Sequence, residues 1–197
     1  MMEVVNIMDL SDRACLNFGD KARKAFAFLV DQGFSLEEIL PTLVSYRKGD
    51  IEVDVYHGRQ SYEIGAEISA SGIRYSMSEI IRFRDVEIAK NFRYAAATTA
   101  QGVTAGLEEL STLMKRYGCE ALKGNAQFFL ELEKQRRLWS KEYALDVLVE
   151  QLRPQANEAF HRKDYSVALE LYARIRERLS PAELKKLRIA EERKKDR

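Results

Sequence analysis

The sequence offers few residues that could perform catalysis or hold a metal. Its two histidines, His57 and His161, stand alone, and its two cysteines, Cys15 and Cys119, lie far apart in the chain. None of the four falls in the spacing of a zinc or redox motif, and there is no Walker A loop, dinucleotide fingerprint or nucleophile elbow. We therefore predict that the protein is not an enzyme and that it uses no metal and no cofactor.

Each of these candidates has an ordinary structural interpretation. His57 falls at a predicted hairpin turn, where we expect it to be solvated. His161 falls near the end of a predicted helix, where it can shield the last carbonyls. Gly102 and Gly106 lie close together, but no lysine follows where a phosphate loop needs one, so we interpret them as a helix break.

Composition and charge favour a cytoplasmic protein. Two isolated thiols in 197 residues are typical of a reducing compartment, although a single disulfide between them stays open. The N-terminus carries Glu3 and Asp9 where a signal peptide has basic residues. Apolar runs are far shorter than the ~20 residues of a membrane span, so we expect no membrane association.

The residues that stand out are acidic and lie in predicted strands. Apolar and polar residues alternate over 42–77, which predicts strands at 43–47, 51–56 and 62–68 and a fourth at 73–77. One face of the resulting antiparallel meander carries Glu52, Asp54, Glu63 and Glu67. A turn at Gly58-Arg59 places Asp54 opposite Glu63, and a turn at His57-Gly58 places Glu52 there instead.

An acidic sheet face has two interpretations. It is usually a solvated surface, and directly opposed carboxylates cost a few tenths of a kcal/mol per pair, which Arg47 opposite Glu52 relieves in part. Alternatively, it is a docking surface for a basic partner, because complementary charge raises the association rate and disfavours other partners. On the second interpretation the partner-binding residues are Glu52, Asp54, Tyr56, Glu63 and Glu67.

Other elements must position this face. A helix is predicted over 21–32, capped by Asp20 and ended by Gly33, and Ser35 is predicted to open a short helical turn that Pro41 limits. On the inner face we expect Val53 to lie opposite Tyr46 and Ile64, and Val55 opposite Val44 and Tyr62. This apolar face can pack on the preceding helix.

The rest of the chain reads as helix. A cap at Ser76 or Ser78 begins one helix, a second is predicted over 87–99, and Pro154 is predicted to break or kink a later one. Residues 174–197 hold ten basic and five acidic residues. They include no aromatic side chain on which a base could stack, which argues against nucleic-acid binding.

Residues 152–181 resemble a single tetratricopeptide (TPR) unit. Leu152 stands at the large apolar position of its first helix, and the small and aromatic signature positions hold Ala156, Ala159, Phe160, Tyr165, Ala168 and Tyr172. No second copy precedes it, so the resemblance implies a local hairpin rather than a solenoid. Ser180-Pro181-Ala182-Glu183 then predicts a capping helix over 181–192. A TPR-like hairpin implies a protein that binds other proteins.

Residues 20–85 resemble a helix-plus-meander module of small bacterial proteins, some of them suspected immunity proteins. The residues that carry the resemblance are 28–34, Phe-Leu-Val-Asp-Gln-Gly-Phe, and the strands through Tyr62-Glu63-Ile64. The resemblance implies that the protein binds and neutralises a partner, such as a basic toxin domain, and it transfers no catalytic residues.

We predict an α+β fold with two domains. Residues 1–85 form a helix and an antiparallel meander of three to four strands, and residues 86–197 form a mainly helical region with the TPR-like hairpin. The predicted function is non-catalytic protein binding, as in an immunity protein. The alternatives are an adaptor or scaffold whose helical region binds a peptide, a nucleic-acid-associated protein, and an enzyme with a cleft between the halves. The oligomeric state stays open.

Overall fold

A computed structural model, which describes Arg13 and residues 15–195, shows an α+β protein and confirms the predicted class. One antiparallel sheet has the strand order β1-β2-β3-β4-β5. Its strands are β1 (Ser35–Leu40), β2 (Leu43–Lys48), β3 (Ile51–His57), β4 (Ile64–Ala70) and β5 (Ile73–Ser76).

Nine α-helices lie within the described residues, most of them after the sheet. They are α1 (Phe18–Ala25), α2 (Ala27–Asp31), α3 (Met77–Arg84), α4 (Val86–Asn91), α5 (Ala100–Tyr117), α6 (Cys119–Leu122), α7 (Ala126–His161), α8 (Tyr165–Arg174) and α9 (Pro181–Lys195). A 3₁₀ turn at Arg176–Arg178 follows α8. Cys15 and Cys119 are exposed, and no disulfide joins them.

The chain divides into two compact units, Met1–Glu133 and Lys134–Arg197. The first contains the sheet and helices α1 to α6, and the second contains most of α7 with α8 and α9. The boundary predicted after residue 85 falls inside the first unit.

The inner face of the sheet forms the core of the first unit. Its central side chains are at most 1% exposed, namely Val44, Tyr46, Val53, Val55, Ile64 and Ile68. Helices α1, α3 and α5 contact the strands. A Cβ at Gly106 would lie 2.7 Å from Cδ1 of Ile64, so this glycine lets α5 approach β4 closely. Gly102 and Gly106 both lie inside α5, and their interpretation as a helix break was wrong.

The segment before β2 differs most from its prediction. Ser35–Leu40 forms β1 rather than a helical turn, because cross-strand pairing with β2 outweighs the local capping pattern at Ser35. The helix predicted over 21–32 is two helices interrupted at Phe26, and Asn17 rather than Asp20 precedes the first. Gly33 ends α2 in the left-handed region, φ 87°, as predicted.

The connection between β3 and β4 is longer than the predicted two-residue turns. The Gly58 N–H donates to the Glu63 carbonyl (2.8 Å), and the Tyr62 N–H donates to the Gly58 carbonyl (3.0 Å). The register consequently shifts. Val53 lies opposite Ile68 and Val55 opposite Ala66, instead of Ile64 and Tyr62, whereas the predicted pairs of Val53 with Tyr46 and Val55 with Val44 are confirmed.

The helix predicted over 87–99 ends early, at Asn91. The chain that follows runs beside the start of β4: the Ile64 N–H donates to the Ala95 carbonyl (2.8 Å), and the Ala97 N–H donates to the Tyr62 carbonyl (2.9 Å). The small residues Ala95, Ala96 and Ala97 thus allow this segment to pair closely with the backbone at the start of β4. Ser76 caps α3 with a capping box to Glu79, one of the two predicted caps.

The second unit is built on the hairpin of α7 and α8. Helix α7 continues through Pro154 to His161, so the predicted break is not seen. Asp164 caps α8 by accepting from the Val167 N–H. One buried cluster joins α7, α8 and α9, and consists of Ala156, Ala159, Ala168, Tyr172 and Leu187. The predicted capping box of Ser180 and Glu183 opens α9.

Candidate functional site

The outer face of the sheet gathers most of the predicted partner-binding residues. Glu52, Asp54 and Tyr56 alternate along β3, and Glu67 on β4 lies directly opposite Asp54. Because side chains alternate along a strand, these four project from the face opposite the buried core. We call this surface the acidic face. It consists of these four residues together with Glu37 and Glu38 of β1.

Strand β1 adds two carboxylates that the sequence reasoning missed. The pairing of β1 with β2 shifts between Leu36 and Glu38, a bulge that leaves Glu37 as the extra residue. Glu38 lies opposite Ser45, and the Glu37 carboxylate reaches Arg47 on the outer side. No alternation of apolar and polar residues marks this strand, because 35–40 reads Ser-Leu-Glu-Glu-Ile-Leu and the bulge interrupts the two-residue period.

Two arginines offset part of this negative charge. Nε of Arg47 lies 3.5 Å from Glu37 and its Nη2 lies 3.2 Å from Glu52. Arg74 of β5 lies 4.0 Å from Asp54 and 3.8 Å from Glu67. Five carboxylates against two guanidinium groups leave the acidic face negative. Ion pairs as exposed as these contribute about 0–1 kcal/mol each, so the side chains can exchange partners at low cost.

The carboxylates of the acidic face differ in how accessible they are. The side chains of Glu52 and Glu67 are 30% and 29% exposed, whereas that of Asp54 is only 10% exposed. Asp54 accepts a hydrogen bond of 2.5 Å from the Ser45 hydroxyl. A partner that docks here therefore meets Glu37, Glu38, Glu52 and Glu67 first, while Asp54 is held within the sheet.

Tyr56 supplies the aromatic side chain of the acidic face. Burial, followed by the neighbouring Tyr94, Glu67 and Glu63, raises the pKa of Tyr56 to about 12. Its hydroxyl is therefore protonated at neutral pH and can donate a hydrogen bond, but it cannot act as a base. A hydroxyl that stays protonated is suited to binding a hydrogen-bond acceptor.

Glu63 does not lie where either predicted turn places it. It falls in the connection before β4 and forms an isolated bridge with Ala96, while Asp54 faces Glu67 and Glu52 faces Ser69. Both predicted pairings of Glu63 are wrong, because the connection contains more residues than a tight turn. Its charge stays close enough to Tyr56 to contribute to the raised pKa of that residue.

The prediction that His57 is solvated was wrong, because the residue is only 1% exposed. Its Nε2 lies 2.9 Å from the Ala97 carbonyl, and its ring stacks on Phe18 with centroids 5.7 Å apart. Burial lowers its pKa, the hydrogen bond with Ala97 acts in the opposite direction, and the Arg13 charge lowers it further. This histidine is a neutral core residue.

Arg13 holds the connection beside that histidine. Its guanidinium is buried, donates to the carbonyls of Gly58 (2.9 Å) and Arg59, and lies 4.4 Å from the centroid of the Tyr62 ring. These contacts fix the connection between β3 and β4, so Arg13 has a structural role.

A cavity of about 490 Å³ lies outside the acidic face and is lined by Lys21, Lys24 and Lys115. The hydroxyls around it, Thr104, Ser111 and Thr112, donate to backbone carbonyls. Among the described residues there is no group of three or more histidine, cysteine or acidic side chains that could hold a metal. In that same part of the chain, no helix combines the length and apolar character needed to cross a bilayer.

Comparisons of the chain with protein-family models, curated proteins and solved structures found no match.

Proposed function

We propose that this protein binds a basic protein partner through the acidic face, without catalysis. The observation that carries the proposal is the excess of carboxylates over guanidinium groups on one sheet face, including Glu52 and Glu67 with about a third of each side chain accessible. Complementary charge of this kind accelerates association and selects against partners of the wrong charge.

The sharper form of the proposal is an immunity role, in which the acidic face covers the active site of a basic toxin domain. It rests on the resemblance of residues 20–85 to small immunity-type proteins. A toxin that acts on nucleic acid needs a basic active surface to bind phosphates, and a negatively charged sheet face is the natural complement of such a surface.

The TPR-like hairpin is the weaker candidate for the docking surface. Leu187 of α9 packs in the same cluster as Ala156, Ala168 and Tyr172. The apolar side of the hairpin is therefore occupied by the chain itself. An exposed groove between α7 and α8 would be needed for a peptide-binding adaptor.

The test is an affinity capture from the native host with identification by mass spectrometry, using three baits. The wild type is compared with a face variant, Glu38→Lys, Glu52→Lys and Glu67→Lys, and with a control variant, Glu108→Lys, Glu142→Lys and Glu170→Lys. All three control residues are exposed, and none lies in the sheet. The two variants change the net charge equally, so only the position of the charge differs.

We expect the wild type and the control variant to recover the same partner and the face variant to recover it at least about tenfold less, which corresponds to a loss of 1.4 kcal/mol. The partner should have a basic surface, and its recovery should fall with added salt. Equal recovery by the face and control variants, at matched melting temperatures, would contradict the proposal.

A further inference from the structure

Strand β1 ends the sheet on one side. It stands first in the strand order and pairs with β2, and no strand of the described residues lies along its outer edge. All six of its residues are exposed. An edge of this kind presents a row of backbone N–H and C=O groups that can pair with another extended chain.

A groove of about 560 Å³ runs beside this edge. Its apolar lining comes from Ala27 and Val30 of the helical side and from Leu36 of β1, and four charged residues, Asp20, Arg23, Lys24 and Asp31, line the rest. Val30 and Leu36 are 55% and 37% exposed, which is a large exposure for apolar side chains. A strand added to β1 would direct every second side chain toward this groove and the others toward the acidic face.

Tyr46 gives the groove an unused polar group. This residue also lines the groove, is 1% exposed, and its buried hydroxyl has no hydrogen-bond partner among the described residues. A buried hydroxyl without a hydrogen-bond partner is unfavourable, so a ligand that brought an acceptor to this oxygen would be favoured.

The charges beside the edge specify what would pair with it. Glu37 and Glu38 lie at the bulge of β1, and the nearest described cation on the outer face is Arg47, which already contacts Glu37 and Glu52. A strand laid next to β1 thus meets carboxylates on its outer side and, on its inner side, the exposed apolar side chains of Val30 and Leu36 at the groove.

We propose that the outer edge of β1 receives an extended segment of the partner protein in which apolar and basic residues alternate, the apolar ones entering the groove at Val30 and Leu36 and the basic ones facing Glu37 and Glu38. The inference rests on the proposed function, because it assigns to the same basic partner the backbone pairing that joins it to the acidic face. This is recognition by β-strand addition.

A second copy of this chain fits the edge poorly. When two β1 strands overlap fully in antiparallel pairing, Glu37 of each copy lies opposite Glu38 of the other. Like charges directly opposed are destabilising, and edge glutamates with a bulge are devices that discourage self-pairing. Residues 1–12 fit poorly as well, since they include Glu3, Asp9 and Asp12 and no basic residue.

The experiment titrates five synthetic peptides into the full-length ¹⁵N-labelled protein and follows the amide resonances. The probe is a capped peptide of about seven residues that alternates lysine and valine, long enough to span β1. A glutamate–valine peptide of the same length tests charge. Two N-methylated derivatives of the probe, one methylated on the backbone nitrogen of every lysine and the other on that of every valine, test backbone pairing. A fifth peptide, residues 1–12 of this chain, tests self-occupancy.

We expect the lysine–valine probe to shift the amides of Ser35–Leu40 and Val30. Alternate N–H groups of a strand point to opposite edges, so only one of the N-methylated derivatives should lose affinity, by about tenfold or more, while the other keeps it. The glutamate–valine peptide should bind at least about tenfold more weakly. Val30→Arg should abolish the shifts, whereas Val86→Arg, at an equally exposed valine (56%), should leave them intact.

The outcomes separate this inference from the proposed function. If the shifts cluster on Glu52 and Glu67 and both N-methylated derivatives bind equally, strand addition is wrong while binding at the acidic face stands. If the probe binds at β1 but the face and control variants recover the partner equally, strand addition at β1 stands and the proposed function is refuted. Tighter binding of the 1–12 peptide, self-association through β1, or no shifts at millimolar probe would each overturn the inference.

Discussion

Tyr56 of β3 lies directly across Gly65 of β4, with its ring over the glycine Cα. A Cβ built on Gly65 would lie 2.3 Å from Cζ of Tyr56 and 2.4 Å from its hydroxyl oxygen. The glycine therefore makes the space in which the tyrosine lies flat on the acidic face. Without that space, the aromatic ring would have to leave the surface of β4.

This relationship predicts that Gly65→Ala destabilises the protein. The added methyl group forces Tyr56 out of its position, and overpacking of this kind costs about 1–3 kcal/mol. The free energy of unfolding, measured in urea, should fall by that amount. In a Tyr56→Leu background the same substitution should cost clearly less, because the colliding ring is gone. Equal costs in both backgrounds would show that the ring does not depend on Gly65.

The same pair shows which features of the acidic face could be predicted from the sequence. Alternation at 51–56 predicted that Glu52, Asp54 and Tyr56 share a face, because a two-residue period depends only on the strand itself. Which residue of β4 lies opposite each of them depends on the connection, and its extra residues move Glu67, not Glu63, opposite Asp54. The connection is held by distant contacts, notably Arg13 with the Gly58 carbonyl, and no local pattern encodes them.

Strand β1 was missed for a related physical reason. Ser35 and Glu38 have the spacing of a helix cap, and local propensity cannot weigh that cap against pairing with β2. His57 was misplaced because a turn position suggests solvent, whereas the longer connection brings the ring against Phe18 and Ala97. The hairpin of the second unit was easier to predict, since its small residues contact one another within a short stretch of chain.

A second prediction concerns the two kinds of carboxylate on the acidic face. Asp54→Asn should lower the free energy of unfolding by about 1–3 kcal/mol, because it weakens a buried hydrogen bond with Ser45 and removes the charge near Arg74. Glu52→Gln, the same chemical change at a more exposed residue, should alter stability by less than about 1 kcal/mol. Urea unfolding of both variants checks this, and a similar loss in both would mean that Asp54 is no more structural than Glu52.

A third prediction uses the lowered pKa of His57. Burial keeps its ring neutral in the folded protein, whereas the unfolded chain takes up a proton near the ordinary value of 6.5. Below that pH the unfolded state binds more protons, so stability falls as the pH decreases toward the folded-state pKa. The limiting slope for one proton is about 1.36 kcal/mol per pH unit.

The measurement is the free energy of unfolding of wild type and His57→Gln between about pH 7 and pH 5, the range in which histidine titrates. The variant should be less stable at pH 7 but should lose less stability on acidification than the wild type. His161→Gln makes the same substitution at the other histidine and is the control for the substitution itself. Parallel profiles for wild type and His57→Gln would contradict a buried neutral ring at position 57.

A fourth prediction concerns Asn157, whose side-chain oxygen joins the three helices of the second unit. It accepts a hydrogen bond of 2.9 Å from the Tyr172 hydroxyl on α8 and one of 2.6 Å from the Lys186 ammonium group on α9. Tyr172→Phe removes one donor and leaves Asn157 bound to Lys186, so it should cost about 1 kcal/mol.

Asn157→Leu should cost more than Tyr172→Phe, because it leaves the hydroxyl of the buried Tyr172 without this acceptor. The double variant should then cost less than the two single losses added together, since the orphaned hydroxyl is absent from it. Thermal and urea unfolding of the four proteins give this cycle, with Asn91→Leu as the matched change at an exposed asparagine of the first unit. Strict additivity would show that the contact between α7 and α8 depends on apolar packing alone.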